Sequence, residues 1–381
     1  MKLRHLLWTL GLVLAFPMSA RAQGDIPPDQ PDWTLDGAAR KAVVDTLADR
    51  IERLYVFPDK AKETAKALRK RLAAKEYDRI TSAKEFADSL TSHTQAVTHD
   101  LHMRMAYRSE PFPPENNDGP PPESEMKRMR EMGRRTNYGF ERVERLAGNI
   151  GYLDLRQFSG APDGQATAIA AMNFLGNVDA LIVDLRRNGG GSPEMIATLL
   201  TYLQAPGDRL LFNTFYMREG NQTDQFWTLP FVPGPRLNGK PVYVLTSPRT
   251  FSAAEEFSYD IQTHKLGTLV GTVTGGGANP GGRFRVHEHF AMFIPTGRAI
   301  NPVTKTNWEG VGVKPDIATK AGEALRVAHI EALKKILETV KDDPDRTAAL
   351  KRALDDAAKR ADDPETDFMR PGMAMHRPSS S

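Results

Sequence analysis

The stretch Asp184-Leu185-Arg186-Arg187-Asn188-Gly189-Gly190-Gly191 restricts what this chain can fold into more than any other. An apolar run of strand length, Ala180–Leu185, leads into it, and a helical pattern over residues 193–204 leads out. A strand that stops at glycines and turns straight into a helix is an element of α/β architecture. Two more runs of the same kind, Ile150–Leu155 and Val242–Thr246, and helical stretches at about 163–175 and 252–264 extend the pattern. Arg283–Ile294 alternates like a strand or hairpin behind the glycine-rich run Gly275–Gly282. Residues 321–340 read as a helix, 345–360 as a polar helix, and the tail after Pro364 as disordered. The expected core therefore covers residues 138–340, with a polar helix and tail over 341–381.

Ahead of the core the period changes. Val44, Leu47, Ile51 and Leu54, then Ala61, Ala65, Leu68 and Leu72, recur every three or four residues. A third helix opens on the capping pair Ser82 and Glu85 and runs through Phe86, Leu90 and Val97. Short links make residues 36–100 a helical bundle. Six prolines with Asn116, Asn117, Asp118 and Gly119 fall within residues 109–123. That composition predicts a mobile loop, bounded at 108–137, ending in a basic stretch, Met126 to Arg135, compatible with a short helix.

Charge and targeting narrow the function. Lys2, Arg4 and His5 precede the apolar run Leu6–Phe16, and Ala20-Arg21-Ala22 supplies a small-x-small cleavage pattern, so residues 1–22 read as a signal peptide. The 381-residue chain has 51 Lys+Arg against 48 Asp+Glu, a net +3. Cleavage near Ala22 removes Lys2, Arg4 and Arg21 and no acid, leaving a neutral mature chain. Neutrality argues against a nucleic-acid partner. No later apolar run reaches the roughly 20 residues a bilayer requires, so no membrane association is expected after cleavage. The absence of cysteine excludes disulfides, thiolate zinc sites and cysteine nucleophiles. A periplasmic or secreted protein is expected, its oligomeric state left open.

Several residues could carry chemistry, each with a plainer alternative. The glycines at 189–191 suit a tight strand–helix turn, and equally a loop whose amides face a cavity as an oxyanion hole. Neither glycine cluster has the phosphate-loop or dinucleotide spacing. Ser252-Ala253-Ala254-Glu255 is a capping box, but a serine at the end of a buried strand, on a helix N-terminus, is also placed to act as a nucleophile. His99 and His102 stand where the third helix gives way to an extended run, a suitable place for a base. His287 and His289 share a strand face without a convincing acidic third ligand, and a structural role is favoured over metal. Glu309, beside Trp308 and Gly310, is either an ion-pair partner or the carboxylate that orients a base.

Taken together, DLRRNGGGS at 184–192, TSPRTFSAAEEF at 246–257, VGTVTGGGANPGG at 270–282 and NWEGVGVKPD at 307–316 resemble serine peptidase family forty-one. VFPDKA at 56–61 and THDLHMRM at 98–105 are similar to the retinoid-binding-protein-like branch of that family, which lacks a PDZ domain. The resemblance implies a Clp protease/crotonase-like core of repeated β-β-α units and a serine peptidase acting on a peptide or protein substrate. It puts Ser252 on the nucleophile, His102 on the base and Glu309 on its acidic partner. Ala253 and the Gly189–Gly190 pair fall on the oxyanion hole, and no metal or organic cofactor is implied. The tail-specific branch has a lysine base 25 residues after its serine; here that position is Gly277, so a Ser–Lys dyad is excluded. The alternatives are a non-catalytic carrier of small hydrophobic ligands on the same fold and, by fold kinship only, an acyl-CoA enzyme.

Overall fold

A computed structural model describes residues 29–113, 123–160 and 163–369. The signal-peptide reading of residues 1–22 and the middle of the Pro-rich segment lie outside these residues. Three helices open the described chain: α1 (Gly37–Leu54), α2 (Pro58–Ala73) and α3 (Ala83–Thr98). Asp36 caps α1 by accepting from Ala39 N–H at 2.7 Å, Pro58 starts α2, and Ser82 caps α3 by accepting from Glu85 N–H at 3.0 Å. Their apolar stripes (Val44, Leu47, Ile51, Leu68, Phe86, Leu90) meet Met105, Met292 and Ile294 in one core. The bundle is thus seated on a small antiparallel sheet of order β1 (Met105–Tyr107), β10 (Phe290–Pro295), β9 (Gly281–His287).

The main sheet has six strands in the order β12 (Ile317–Ala318), β8 (Thr268–Gly271), β7 (Val242–Thr246), β4 (Ala180–Asp184), β3 (Ile150–Leu155) and β2 (Phe140–Leu146). All pairings are parallel except β2 with β3. The three strands expected from apolar runs are β3, β4 and β7. Every residue of these strands is buried, because helices cover both faces. On one face Leu153, Val183 and Val244 pack against α5 (Asp163–Phe174), α6 (Pro193–Tyr202) and α7 (Ala253–Thr263). On the other, Tyr152, Ile182 and Leu245 pack against α8 (Ala324–Leu337) and α9 (Pro344–Ala358). The remaining helix, α4 (Glu123–Arg135), is mostly exposed.

Two features differ from the sequence expectation. A third sheet, β11 (Gly297–Ile300), β5 (Leu211–Met217) and β6 (Gln222–Trp227), lies where no strands were read. The first residues after Pro364 are also ordered: Glu365–Phe368 forms a 3-10 turn and Phe368 is 1% exposed, while residues 370–381 of the expected disordered tail lie outside the described residues. The Phe368 ring lies 4.4 Å from the guanidinium of the fully buried Arg186. Asp363 completes this anchor with a 2.9 Å bond to Arg186. No helix among the described residues is long and apolar enough to cross a membrane.

Candidate active site

The loops that leave the C-terminal ends of β4, β7 and β8 meet at one edge of the sheet, where α/β sheets bind ligands. The β4 loop and the β7 loop are stapled together. Ser247 Oγ donates to Arg186 C=O at 2.5 Å, Thr250 Oγ1 donates to Leu185 C=O at 2.8 Å, and Phe251 N–H donates to Asn188 C=O at 3.1 Å. Arg186 sets the β4 end by gripping Asp184 through Nε at 2.9 Å and Nη2 at 2.6 Å. The Asp184 carboxyl stays below its ordinary value despite complete burial because Arg186 and Tyr152 bond to it.

Ser252 ends the β7 loop at φ 55°, ψ −124°, a conformation costly for a residue with a Cβ. An ordinary N-cap is extended, so capping does not account for this backbone. Within the expected capping box, the Glu255 carboxylate accepts from Ser252 N–H at 2.9 Å. The same carboxylate also accepts from Gly276 N–H (2.6 Å), Gly277 N–H (2.8 Å) and the Thr274 hydroxyl. Burial nonetheless pushes the Glu255 carboxyl up to about 7. Glu255 therefore ties the serine turn to the glycine-rich loop, a role that its capping-box reading did not reveal.

The two glycines assigned to the oxyanion hole behave differently. Gly190 N–H donates to Asn188 Oδ1 at 2.8 Å, so its amide is already engaged. Gly189 is exposed, a Cβ there would meet nothing within 4 Å, and its N–H has no partner among the described residues. Gly190 matters through closeness instead: at φ +113°, a Cβ would come within 2.8 Å of Ser252 Cβ and 3.1 Å of Ala253 N. The loop thus packs directly on the serine turn. Of the candidate donors, Gly189 and Ala253 present amides without a described partner.

His102 reaches this edge from the link between α3 and β1. Its ring sits 4.5 Å from Phe251, the residue before Ser252, and 5.4 Å from Phe293. A Cβ on Gly277 would lie 2.7 Å from His102 Cε1 and 2.2 Å from Phe251 Cζ. Where a lysine-based site would carry its base, the space is taken by the imidazole. His99, by contrast, is exposed and ends α3 in a left-handed conformation.

Glu309 is held by the glycine-rich loop that follows β8. Its Oε2 accepts from Ala278 N–H at 2.6 Å and Asn279 N–H at 3.2 Å, while Trp308 Nε1 donates to Gly277 C=O at 2.8 Å. A second carboxylate, unremarked in the sequence, is also present. Asp100 is 1% exposed, accepts from His102 N–H at 3.0 Å and Asn279 Nδ2 at 2.9 Å, and has Oδ1 3.8 Å from His102 Nδ1. One ligand-type atom from each of Asp100, His102 and Glu309 lies within 4.8 Å of the others. Burial raises both carboxyls, and the Asp100 charge raises Glu309 further. Three such donors could also share a cation: Asp100 already accepts through both oxygens, whereas Glu309 accepts through Oε2 alone and its buried Oε1 has no hydrogen-bond partner among the described residues. The spacing of Asp100 two residues before His102 was the available sequence signal. His287 and His289 lie elsewhere, around Trp33 at 5.5 and 4.9 Å.

The model for Peptidase family S41 matches residues 149–319, and that for the N-terminal domain of Peptidase_S41 in eukaryotic IRBP matches residues 37–136. A curated relative, the carboxy-terminal-processing protease of Bartonella bacilliformis, is 26% identical over 181 residues, 46% of this chain and 40% of the relative. The chain thus matches two fifths of that relative's length. Among solved structures, a putative peptidase from Parabacteroides merdae has a TM-score of 0.50 and 20% identity, covering 74% of this chain and 90% of its own. A photosystem II D1 C-terminal processing protease has a TM-score of 0.48 and 14% identity, over 84% and 98%. The expected Clp protease/crotonase-like α/β core is the fold of this chain.

Proposed function

Because the chain belongs to peptidase family S41, we propose that it is an exported serine peptidase whose nucleophile is Ser252. The observation that carries the proposal is the strained backbone of Ser252 at the start of α7. Such a conformation costs on the order of 1–3 kcal/mol and persists where exposing a side chain repays it. His102 takes the hydroxyl proton as Oγ attacks a peptide carbonyl, then returns it to the leaving amine. Asp100 and Glu309 share the task of holding the imidazole and balancing its positive charge. Confined together in a buried site, two carboxyls keep one proton between them more readily than either would alone. Ala253 N–H and Gly189 N–H receive the developing oxyanion, assisted by the positive end of α7; removing one such donor typically costs about 3 kcal/mol.

Export to the periplasm or medium follows from the leader-like residues 1–22. A peptide or protein is the substrate, and neither nucleic acid nor a membrane surface is required. The carrier alternative leaves the strain at Ser252 without a use. Hydrolysis of an unstructured protein substrate by the mature chain, abolished by Ser252→Ala and unaffected by chelators, is the expected result. Hydrolysis that survives Ser252→Ala, or stops on chelation, overturns the mechanism.

A further inference from the structure

The two carboxyl groups beside His102 sit in unlike hydrogen-bond surroundings. Asp100 meets donors at both oxygens. Its Oδ1 accepts from His102 N–H at 3.0 Å, and its Oδ2 accepts from Asn279 Nδ2 at 2.9 Å and from the Tyr55 hydroxyl at 3.4 Å. Glu309 meets donors at one oxygen only. Its Oε2 accepts from Ala278 N–H and Asn279 N–H, while the buried Oε1 has no hydrogen-bond partner among the described residues. A carboxyl proton needs an oxygen that does not already face an N–H, because two donors pointed at each other repel. Glu309 Oε1 is such an oxygen, and neither oxygen of Asp100 is.

Asn279 serves both groups, its side chain holding Asp100 and its main chain holding Glu309. It is 1% exposed, and its Oδ1 is a second buried acceptor without a partner among the described residues. The proline that follows confines its backbone, and the Pro280 carbonyl accepts from Thr296 N–H and Gly297 N–H, each at 3.0 Å. Tyr55 is fixed in the same way at the end of α1. Its carbonyl accepts from Arg218 Nη1 at 2.6 Å, and the next amide, Val56 N–H, donates to Pro295 C=O at 2.9 Å. Burial raises the Tyr55 phenol, so it stays a donor. Burial also raises both carboxyls, and Glu309 rises further under the charges of Asp100 and Glu255.

We propose that Asp100 is the ionised partner of His102, that Glu309 carries the one proton of the pair on Oε1, and that Asn279 is the positioning residue that fixes this allocation. The proposal rests on the peptidase reading and divides between two residues a task given above to both together. With Oδ1 3.8 Å from His102 Nδ1, Asp100 supplies the negative charge that balances the imidazolium formed when Ser252 gives up its proton. One positive charge then faces one negative charge. A second ionised carboxylate in the same buried space would be left without a counter-charge.

Amide substitutions separate the two groups, because an amide imitates a protonated carboxyl and not a carboxylate. Glu309→Gln is expected to lower kcat about tenfold, and Asp100→Asn at least about a thousandfold, with KM little changed in both. Removing the Asn279 donor lets the proton pass to Asp100, so Asn279→Ala should lower kcat about tenfold in the otherwise wild-type chain. In Glu309→Gln the same change should cost at most about twofold, since Asp100 there ionises without a neighbouring charge. A loss of packing alone would cost the same in both backgrounds. A loss in Glu309→Gln equal to or greater than that in Asp100→Asn overturns the allocation, and equal effects of Asn279→Ala in both backgrounds overturn its positioning role. An infrared difference spectrum at neutral pH needs no activity. Wild type minus Glu309→Gln should show the C=O band of a protonated carboxyl, and a spectrum without it overturns the allocation even if Asp100→Asn does not fold. A wild type that forms no fluorophosphonate adduct on Ser252 overturns the peptidase reading itself, and with it the role given to Asp100.

Discussion

Replacing Gly277 by alanine adds one methyl group at the point where the proposed base and the serine turn touch. The new Cβ would stand 2.2 Å from Phe251 Cζ, 2.3 Å from Phe251 Cε2 and 2.7 Å from His102 Cε1. Carbon atoms prefer about 3.5–4.0 Å, so one or both rings must withdraw by about 1 Å or more. Phe251 has little room to do so, because its N–H is bonded to Asn188 C=O at 3.1 Å and the next residue is Ser252. His102 is confined by Phe251 on one side and Phe293 on the other. Overpacking of this kind costs about 1–3 kcal/mol of stability, and a 1 Å misplacement of a catalytic group costs about a hundredfold in rate. Gly277→Ala should therefore lose about two orders of magnitude in kcat while unfolding only a few degrees earlier. Gly282→Ala, whose Cβ meets nothing closer than 3.7 Å, is the control and should stay near wild type in both. Gly277→Lys should be inactive, since the lysine would displace the imidazole and not replace it. Wild-type kcat in Gly277→Ala, measured with a fluorogenic peptide, would refute the placement of His102.

Gly190→Ala should reduce labelling by a serine-directed probe by at least about a hundredfold, because its Cβ would press on Ser252 Cβ at 2.8 Å and Phe251 O at 3.0 Å at a φ of +113°; labelling at the wild-type rate contradicts the packing of the two loops. Phe368→Ala empties a site that is 1% exposed and sits over Arg186, so it should cost about 3–5 kcal/mol, read as a fall in Tm. An unchanged Tm would show that the C-terminal turn does not anchor the β4 end. Stability should also depend on pH. The Glu255 and Glu256 carboxyls are each raised by burial from 4.5 to about 7, so the folded chain binds more protons than the unfolded one between those values. Stability must then fall as pH rises through that window, and Tm should be higher at about pH 5 than at about pH 8. Glu256→Gln should flatten the slope; a Tm that rises over the same interval contradicts it.

What could be read from the sequence depended on how locally each feature is determined. β3, β4 and β7 are buried on both faces and therefore appear as unbroken apolar runs. β6 is almost wholly exposed and carries Gln222, Thr223, Asp224 and Gln225, so neither its hydropathy nor its period marks a strand. The turn at Glu365–Phe368 reads as disordered because Phe368 is a lone aromatic among polar residues. Its burial depends on Arg186, well over a hundred residues earlier. In the site, Ser252 and Gly189 stand out because both lie where a strand turns into a helix. Glu255 was legible only as a capping residue, since its other donors, Gly276 and Gly277, come from a loop about twenty residues on. Asp100 was marked only by its spacing two residues before His102, and the engaged amide of Gly190 depends on a hydrogen bond for which residue types give no sign.

The central claim is that Ser252 is an activated nucleophile, and its most direct test is the reaction of the purified mature protein with a fluorophosphonate, followed by intact mass and peptide mapping. The account predicts one adduct per chain, on Ser252, absent in Ser252→Ala and in His102→Ala and slowed in Glu309→Gln. A folded wild-type protein that forms no adduct, or an adduct that persists in Ser252→Ala, contradicts it.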